Sequence, residues 1–393
     1  MKPLPIGAFS IVSALGDGQA AHAQALRAGA SGLKARRFET ATLDAWIGVV
    51  DALDDERIPA DLARYDCRNN RLAALALRSD GFDARVRAAA ARHGAQRVGV
   101  IVGTSTSGIL QTEIAYRERA PDGALPPWLH YGETHDNASL ARFVQAALGL
   151  AGPAWVISTA CSSGAKAYAA AARLIALGLI DAAVVGGVDT LCMTTLYGFH
   201  SLELLSTDVC RPWDARRNGL SLGEGASFAL LQRDDVAPAA WLLGCGESSD
   251  GHHMSSPHPE GAGAADAMRA ALADASLQPD QVDYINLHGT GTRNNDAAED
   301  VAVCAVFGCD VPASSTKGLT GHALGAAGAV EAAISLLALR HGFVPPGAHC
   351  EQPDPTLRAH YQREARDARL AVAASNSFGF GGSNSCLLFG VAR

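Results

Sequence analysis

Charge is scarce in this sequence, cysteine is unorganised, and long apolar runs are missing. Charged residues are 18% of 393 against 48% apolar. That balance excludes wholesale disorder and is ample for a large buried core. No excess of positive charge exists: 32 Lys+Arg against 40 Asp+Glu leave a net −8. Non-specific nucleic-acid binding needs a basic footprint, so it is excluded for the chain as a whole, although local basic patches stay open. The nine cysteines form no CxxC pair, and their odd count and scatter speak against a disulfide framework or a structural zinc site. A reducing, cytoplasmic compartment is expected. No stretch of about 20 uninterrupted apolar residues occurs, so membrane insertion is not expected. The nearest approach, Leu319 to Leu339, holds His322, Glu331 and several glycines and reads as a buried helix. At the N-terminus, Pro3 and Pro5 break the charged region of an apparent signal peptide, and Gly7, Ser10 and Ser13 dilute its apolar core. The segment reads instead as a strand, a turn at Gly16-Asp17-Gly18 and an Ala-rich helix.

Apolar strand-like runs alternate with Ala/Leu helical runs. Strands are expected at 97–104, 154–160, 181–191, 226–233, 282–289 and 384–392, and helices at 139–150, 162–179, 263–277 and 329–342. This alternation predicts a layered α/β fold. A weak internal echo runs through it: STACSSGAKAYAAAARLIALGL and SSTKGLTGHALGAAGAVEAAISLLALRHG each set a Ser/Thr turn before an Ala-rich helix that ends at Gly. Two related halves, 1–233 and 234–393, would account for it.

Cys161 is the sharpest chemical feature. It closes the expected strand AWVISTA and opens a long helix, so its sulfur should sit at a helix N-terminus, where unpaired N–H groups favour thiolate. Small neighbours allow the tight strand-to-helix turn that exposes a nucleophile. A buried structural thiol is the alternative. His288 ends a strand before Gly-Thr-Gly-Thr and is placed to face a pocket or to sit satisfied at its rim. His322 follows Lys317 by five residues and precedes Glu331 by nine; Lys317 and Glu331 read as a buried ion pair orienting the site, or as a solvated cap. One Cys and two His support metal-free thioester chemistry. Thr290 and Thr292 could bind an amide-rich arm or only satisfy their turn. HGTGT and GFGFGGSN lack the spacing of dinucleotide or phosphate loops. His252, His253 and His258 show no zinc spacing and read as part of a mobile polar loop. Between Arg64 and Arg97, eight Arg stand against three Asp, which reads as a solvated helical face or as a docking patch for an acidic partner.

STACSSGAKA around Cys161, HGTGT at 288–292, STKGLTGHALGAAGAVEA at 315–332 and NSFGFGGSN at 376–384 together resemble the signatures of the β-ketoacyl-ACP synthases. The resemblance runs nearly the full chain, including RPWDARRNGLSLGEGA at 211–226. It implies the thiolase fold, two related halves in a five-layer α/β/α/β/α arrangement, usually dimeric. It implies that Cys161 accepts an acyl chain from the phosphopantetheine arm of an acyl carrier protein (ACP). His288 and His322 would then stabilise the enolate formed from malonyl-ACP as CO2 leaves. The N–H groups of Cys161 and Phe380 would form the oxyanion hole. Lys317 and Glu331 would set the electrostatics, and Thr290 and Thr292 would bind pantetheine. Phe380 would gate the site, together with Phe378, Gly379, Gly381 and Asn384 of its own loop and a second loop from Asp250 to Pro257. Arg68 and Arg71 would dock the carrier protein. No metal and no other cofactor is implied.

Within the family, the segments around Cys161 and HGTGTRNNDAAED look more like ketosynthases of aryl polyene (xanthomonadin-like) pigment clusters than housekeeping fatty-acid enzymes. Arg293 stands where Pro is usual, and Asn294-Asn295 where Leu-Gly is more common, so the choice of carrier protein is open. Such enzymes pair with a chain-length-factor subunit that lacks the cysteine, which makes this chain the catalytic member of a heterodimer, or else a homodimer. The competing readings are fatty-acid elongation, a non-catalytic chain-length factor, and a thiolase, which would need a second catalytic Cys where only Cys386 is available.

Overall fold

Runs such as VGVIVG and AAVVGGVD carry no polar alternation, the pattern of strands covered on both faces. In the computed structural model, which describes residues 1–234 and 237–391, they become β2 and β4 of one large sheet. Its main strands are β1 (Leu4–Ser13), β2 (Val98–Gly103), β3 (Ala154–Ile157), β4 (Ala182–Asp189), β5 (Gly225–Gln232), β6 (Ala240–Ser249), β7 (Tyr284–Asn286), β8 (Ala313–Ser314), β9 (Val372–Gly379) and β10 (Ser383–Gly390). They run in the order β8-β7-β9-β10-β6-β1-β5-β4-β2-β3. Outward from the centre, β1-β5-β4-β2-β3 and β6-β10-β9-β7-β8 share one plan. In each, the first three strands are antiparallel neighbour to neighbour and the last three are parallel. The two sets are not separate sheets. They meet where Leu4, Pro5 and Ile6 pair antiparallel with Leu242, Trp241 and Ala240.

The helices that matter here are α1 (Arg68–Arg78), α2 (Phe82–His93), α3 (Ala138–Leu148), α4 (Ser163–Ala176), α5 (Ala262–Ala275), α6 (Arg293–Phe307) and α7 (Ala327–His341). Helices α1, α2 and α3 cover the first five strands and α5 covers the second five, with α6 packed on α5. Helices α4 and α7 lie between, each touching strands of both sets. This gives five layers, α/β/α/β/α. Every residue of α7 from Ala327 to Leu339 is buried, as a helix apolar all round must be. The stretch Leu324–His341 has the length and hydropathy of a membrane span, yet 89% of it is buried inside the protein.

Two glycines let the central helices cross. A Cβ on Gly164 of α4 would lie 2.9 Å from the Ala329 nitrogen, and one on Gly328 of α7 would lie 2.9 Å from the Ala165 nitrogen. The helices thus meet backbone to backbone.

One expectation about cysteine is corrected. Cys304, in the last turn of α6, and Cys309, just beyond the helix, form a disulfide with Cα atoms 4.5 Å apart. Spacing alone missed it, because a helix that ends between two cysteines can fold the second back onto the first.

Candidate active site

The strand that feeds Cys161 stops at Ile157, and the chain turns sharply with Ala160 at φ 51° before α4 begins. A left-handed alanine is strained. Hydrogen bonds hold the turn: Ser162 Oγ donates to the Thr159 carbonyl at 2.9 Å, and the Thr159 N–H donates to Ser163 Oγ at 2.9 Å. Cys161 ends up 5% exposed. Burial pushes its thiol up to about 12, opposed first by the Lys317 ammonium and then by a hydrogen bond from the Phe380 backbone N–H. The expected thiolate is therefore not the resting form. Desolvation outweighs the helix terminus.

The C-terminal half brings the histidines to this sulfur. His322 Nε2 lies 3.0 Å from Cys161 Sγ. The His288 ring stands edge-on to His322 with centroids 5.4 Å apart. Both rings are buried and their pKa values fall well below 6.5, chiefly by desolvation and then by the Lys317 charge. Lys317 and Glu331, both almost fully buried, form an ion pair behind His288. Lys317 Nζ also bonds the His288 carbonyl and lies 3.4 Å from His288 Nδ1. Burial lifts the Glu331 carboxyl to about 7 against the pull of Lys317.

A cavity of about 360 Å³ opens from these groups to the surface, lined by Cys161, His288 and His322 at its base and by Thr290, Thr292 and Arg293 on one wall. Thr290 Oγ1 and Thr292 Oγ1 are 2.9 Å apart. Phe378, Gly379, Phe380, Gly381, Asn384 and Asp250 also line it. The two loops expected to gate the site are knit together. Asp250 accepts from Asn384 Nδ2 at 2.7 Å and from the His258 N–H at 3.1 Å, and the Gly381 N–H donates to the Met254 carbonyl at 2.7 Å. The Phe380 ring packs on Phe199 at 5.6 Å. Gly379 must be glycine: a Cβ there would sit 2.7 Å from the Thr159 carbonyl oxygen.

The donor atoms of Cys161, His288 and His322 lie within 4.8 Å of one another, a spacing that could hold a metal ion. The Lys317 ammonium beside His288 opposes a dication there. Cys386 is fully buried on β10 and does not line the cavity, so the second catalytic cysteine of a thiolase has no counterpart at this residue.

Two carboxylates that sequence reasoning passed over shape the site. Glu299 accepts from the N–H groups of His288 at 2.8 Å and Gly289 at 2.7 Å and from Asn376 Nδ2 at 3.1 Å. Burial lifts its pKa to about 7. Asp189, at the end of β4, accepts from Thr104 Oγ1, Ser105 Oγ, Thr106 Oγ1 and the Gly325 N–H, tying the loop after β2 to the segment just past His322. Asp296 and Glu299 lie three residues apart on α6, a spacing that puts both on the face under HGTGT; that was the available signal. Glu299→Ala leaves three buried donors without an acceptor and should cost about 2–5 kcal/mol in denaturant unfolding, with Glu299→Gln losing less.

Arg68 and Arg71 are not the free cations that a docking role expects. Arg68 Nε and Nη2 donate to Glu224 at 2.6 and 2.8 Å, and its Nη1 to Asp54 at 2.9 Å. Glu224 is fully buried and needs that partner, because an unpaired buried carboxylate is costly. Arg71 makes a two-pronged pair with Asp66 at 2.6 and 2.8 Å. Arg68→Glu would therefore set two carboxylates together in the interior. It should lower unfolding stability by about 3–5 kcal/mol, which denaturant titration would read directly.

Comparison with known proteins agrees with this geometry. Residues 69–237 match the family described as beta-ketoacyl synthase, N-terminal domain, and residues 239–351 match beta-ketoacyl synthase, C-terminal domain. The chain is 33% identical to 3-oxoacyl-[acyl-carrier-protein] synthase 2 of Vibrio cholerae, with 97% of each chain covered. It is 38% identical to nodulation protein E of Rhizobium meliloti over 75% of this chain and 76% of that one. Among solved structures it resembles a ketosynthase in complex with its chain length factor from Xenorhabdus doucetiae, with TM-score 0.91, 38% identity, and coverage of 99% of this chain and 98% of that one.

Proposed function

The chain belongs to the β-ketoacyl synthase family, and from that premise we propose that it is the catalytic ketosynthase of an aryl polyene-type pathway, working beside a chain-length-factor subunit. As a member of this family of thiolase fold it is a condensing enzyme that forms β-ketoacyl-ACP. The observation that carries the assignment of roles is the meeting of Cys161, His288 and His322 at the base of one cavity, with His322 Nε2 3.0 Å from the sulfur.

The Cys161 sulfur attacks the acyl thioester, and the carrier thiol leaves with the proton that the cysteine gives up. Negative charge on the tetrahedral oxygen falls to the N–H groups of Cys161 and Phe380. Malonyl-ACP then enters. Its thioester oxygen is held by the Nε2–H groups of His288 and His322, the C–C bond to the carboxylate breaks, and CO2 departs. The enolate carbon attacks the acyl-Cys161 carbonyl, the C–S bond breaks, and the Cys161 thiolate takes a proton from solvent as β-ketoacyl-ACP leaves. Thr290 and Thr292 line the path of the pantetheine amides. The nucleophile comes from the half 1–233 and both histidines from 234–393. No metal or further cofactor enters these steps.

Retention of Cys161 with both histidines supports the catalytic over the chain-length-factor reading. The ketosynthase from Xenorhabdus doucetiae, described with its own chain length factor, supports a heterodimer; a homodimer is the alternative. Intact-protein mass spectrometry after incubation with acyl-ACPs of graded length and unsaturation tests the reading. The expected result is a mass gain at Cys161 with polyunsaturated acyl chains, discharged on adding malonyl-ACP. Loading with saturated chains alone would move the enzyme to fatty-acid elongation. No loading even with the partner subunit present would overturn the catalytic reading.

A further inference from the structure

We propose that Arg293 reads the phosphate of the carrier arm at the mouth of the cavity and so sets which thioesters this enzyme accepts. The inference rests on the reading that phosphopantetheine-borne thioesters enter this cavity, and it goes beyond it by naming a specificity residue.

The segment from His288 to Asn294 paves one wall of the cavity from base to rim. Exposure rises along it: His288 is 2% and Thr290 6% exposed, Thr292 is half-buried, and Arg293 and Asn294 are exposed. Chemical character changes in step, from the imidazole beside the sulfur, through the paired hydroxyls of Thr290 and Thr292, to the guanidinium of Arg293. A phosphopantetheine thioester has the same order. Its reacting carbonyl is at one end, amides are in the middle, and a phosphate anion is at the other.

Arg293 is not accounted for by the fold. Among the described residues no carboxylate lies within ion-pair distance of it. It is the first residue of α6, where a cation opposes the helix dipole and acids are favoured. A residue that breaks a local rule with no compensating partner marks function more often than stability. The carboxylates that line the cavity are Glu203 and Asp250, and Asp250 is committed to Asn384 and the His258 N–H. The rim therefore presents an unpaired guanidinium, whose planar fork suits a phosphate.

The test compares three malonyl thioesters on the full chain: malonyl-ACP, malonyl-phosphopantetheine and malonyl-pantetheine, which lacks the phosphate. Arg293→Gln and Arg293→Glu should raise KM about tenfold or more for the first two, with kcat within twofold, and should leave KM for malonyl-pantetheine within twofold. Arg293→Lys should recover most of the loss. An equal loss on malonyl-pantetheine would overturn the proposal, since the residue would then act on the fold or the chemistry. So would an unchanged KM for malonyl-ACP, or a loss confined to it, which would place the contact on the carrier protein's surface. Wild-type enzyme that discharges none of the three even with its partner subunit present would overturn the catalytic reading on which this proposal rests, and the proposal with it.

Discussion

Cys161→Ala is expected to abolish the acyl-enzyme and to lower condensation by about 10⁴-fold or more, the scale of losing a covalent nucleophile. Overall folding should persist, because the small deletion leaves the turn and its Ser162 and Ser163 hydrogen bonds in place. The sulfur's protonation adds a sharper test. Burial lifts the thiol from 9.0 to about 12, a difference of about 4 kcal/mol. A helix terminus returns at most about 2 kcal/mol, so burial wins and the resting group is the thiol. Below its pKa the thiolate fraction rises tenfold per pH unit. The rate of Cys161 acylation by acyl-ACP, followed by mass spectrometry in rapidly quenched samples, should then climb about tenfold per unit from pH 7 to pH 9. A plateau inside that interval would put the thiol's pKa below it and show that Lys317 and the Phe380 N–H prevail over desolvation.

What could be read from the sequence was what repeats locally. The run VGVIVG, the Ala-rich helix after Cys161 and the apolar helix after His322 lie within a few residues of their expected places, because periodicity and burial on both faces leave a mark on residue type. Strand β9 was hidden because NSFGFGGSN reads as a glycine loop; only the ladder with β10 shows that Val372–Gly379 is extended. The site divides in the same way. His288 is visible as a strand-end residue before glycine and His322 as a residue just ahead of an apolar helix. By contrast, the hydroxyls and backbone N–H groups that Asp189 holds and the N–H groups that Glu299 holds lie far off in sequence or in no motif of their own. Arg68 shows the limit most plainly. Its surroundings in sequence are basic, and its true partner, Glu224, is 156 residues away. A charge count cannot distinguish a cation facing solvent from one that neutralises a buried carboxylate.

His288→Ala and His322→Ala are each expected to lower condensation by about 10²–10³-fold, the loss found when one preorganised donor to a developing oxyanion is removed, while Cys161 still accepts an acyl chain. The division follows from which atoms face the cavity. Lys317 Nζ, 3.4 Å from His288 Nδ1, has only protons to offer, so Nδ1 accepts and the ring proton is placed on Nε2. That N–H can hold the enolate oxygen without being charged, and burial with the Lys317 charge keeps both rings neutral. Acylation needs the sulfur and the N–H groups of Cys161 and Phe380, none of which either substitution removes. The sign of the pH effect follows as well. With both histidines titrating well below 6.5, discharge of preformed acyl-Cys161 by malonyl-ACP should be flat from pH 6 to pH 8, whereas an ordinary histidine would change its charge within that interval. Lys317→Ala should raise the pair's pKa only part of the way, because desolvation, the larger cause, remains, while it removes the donor that fixes the His288 tautomer. Loss of acylation in His322→Ala but not in His288→Ala would instead mean that His322, 3.0 Å from the sulfur, takes the cysteine proton, and the two half-reactions would then share that residue; loss in both would overturn the division.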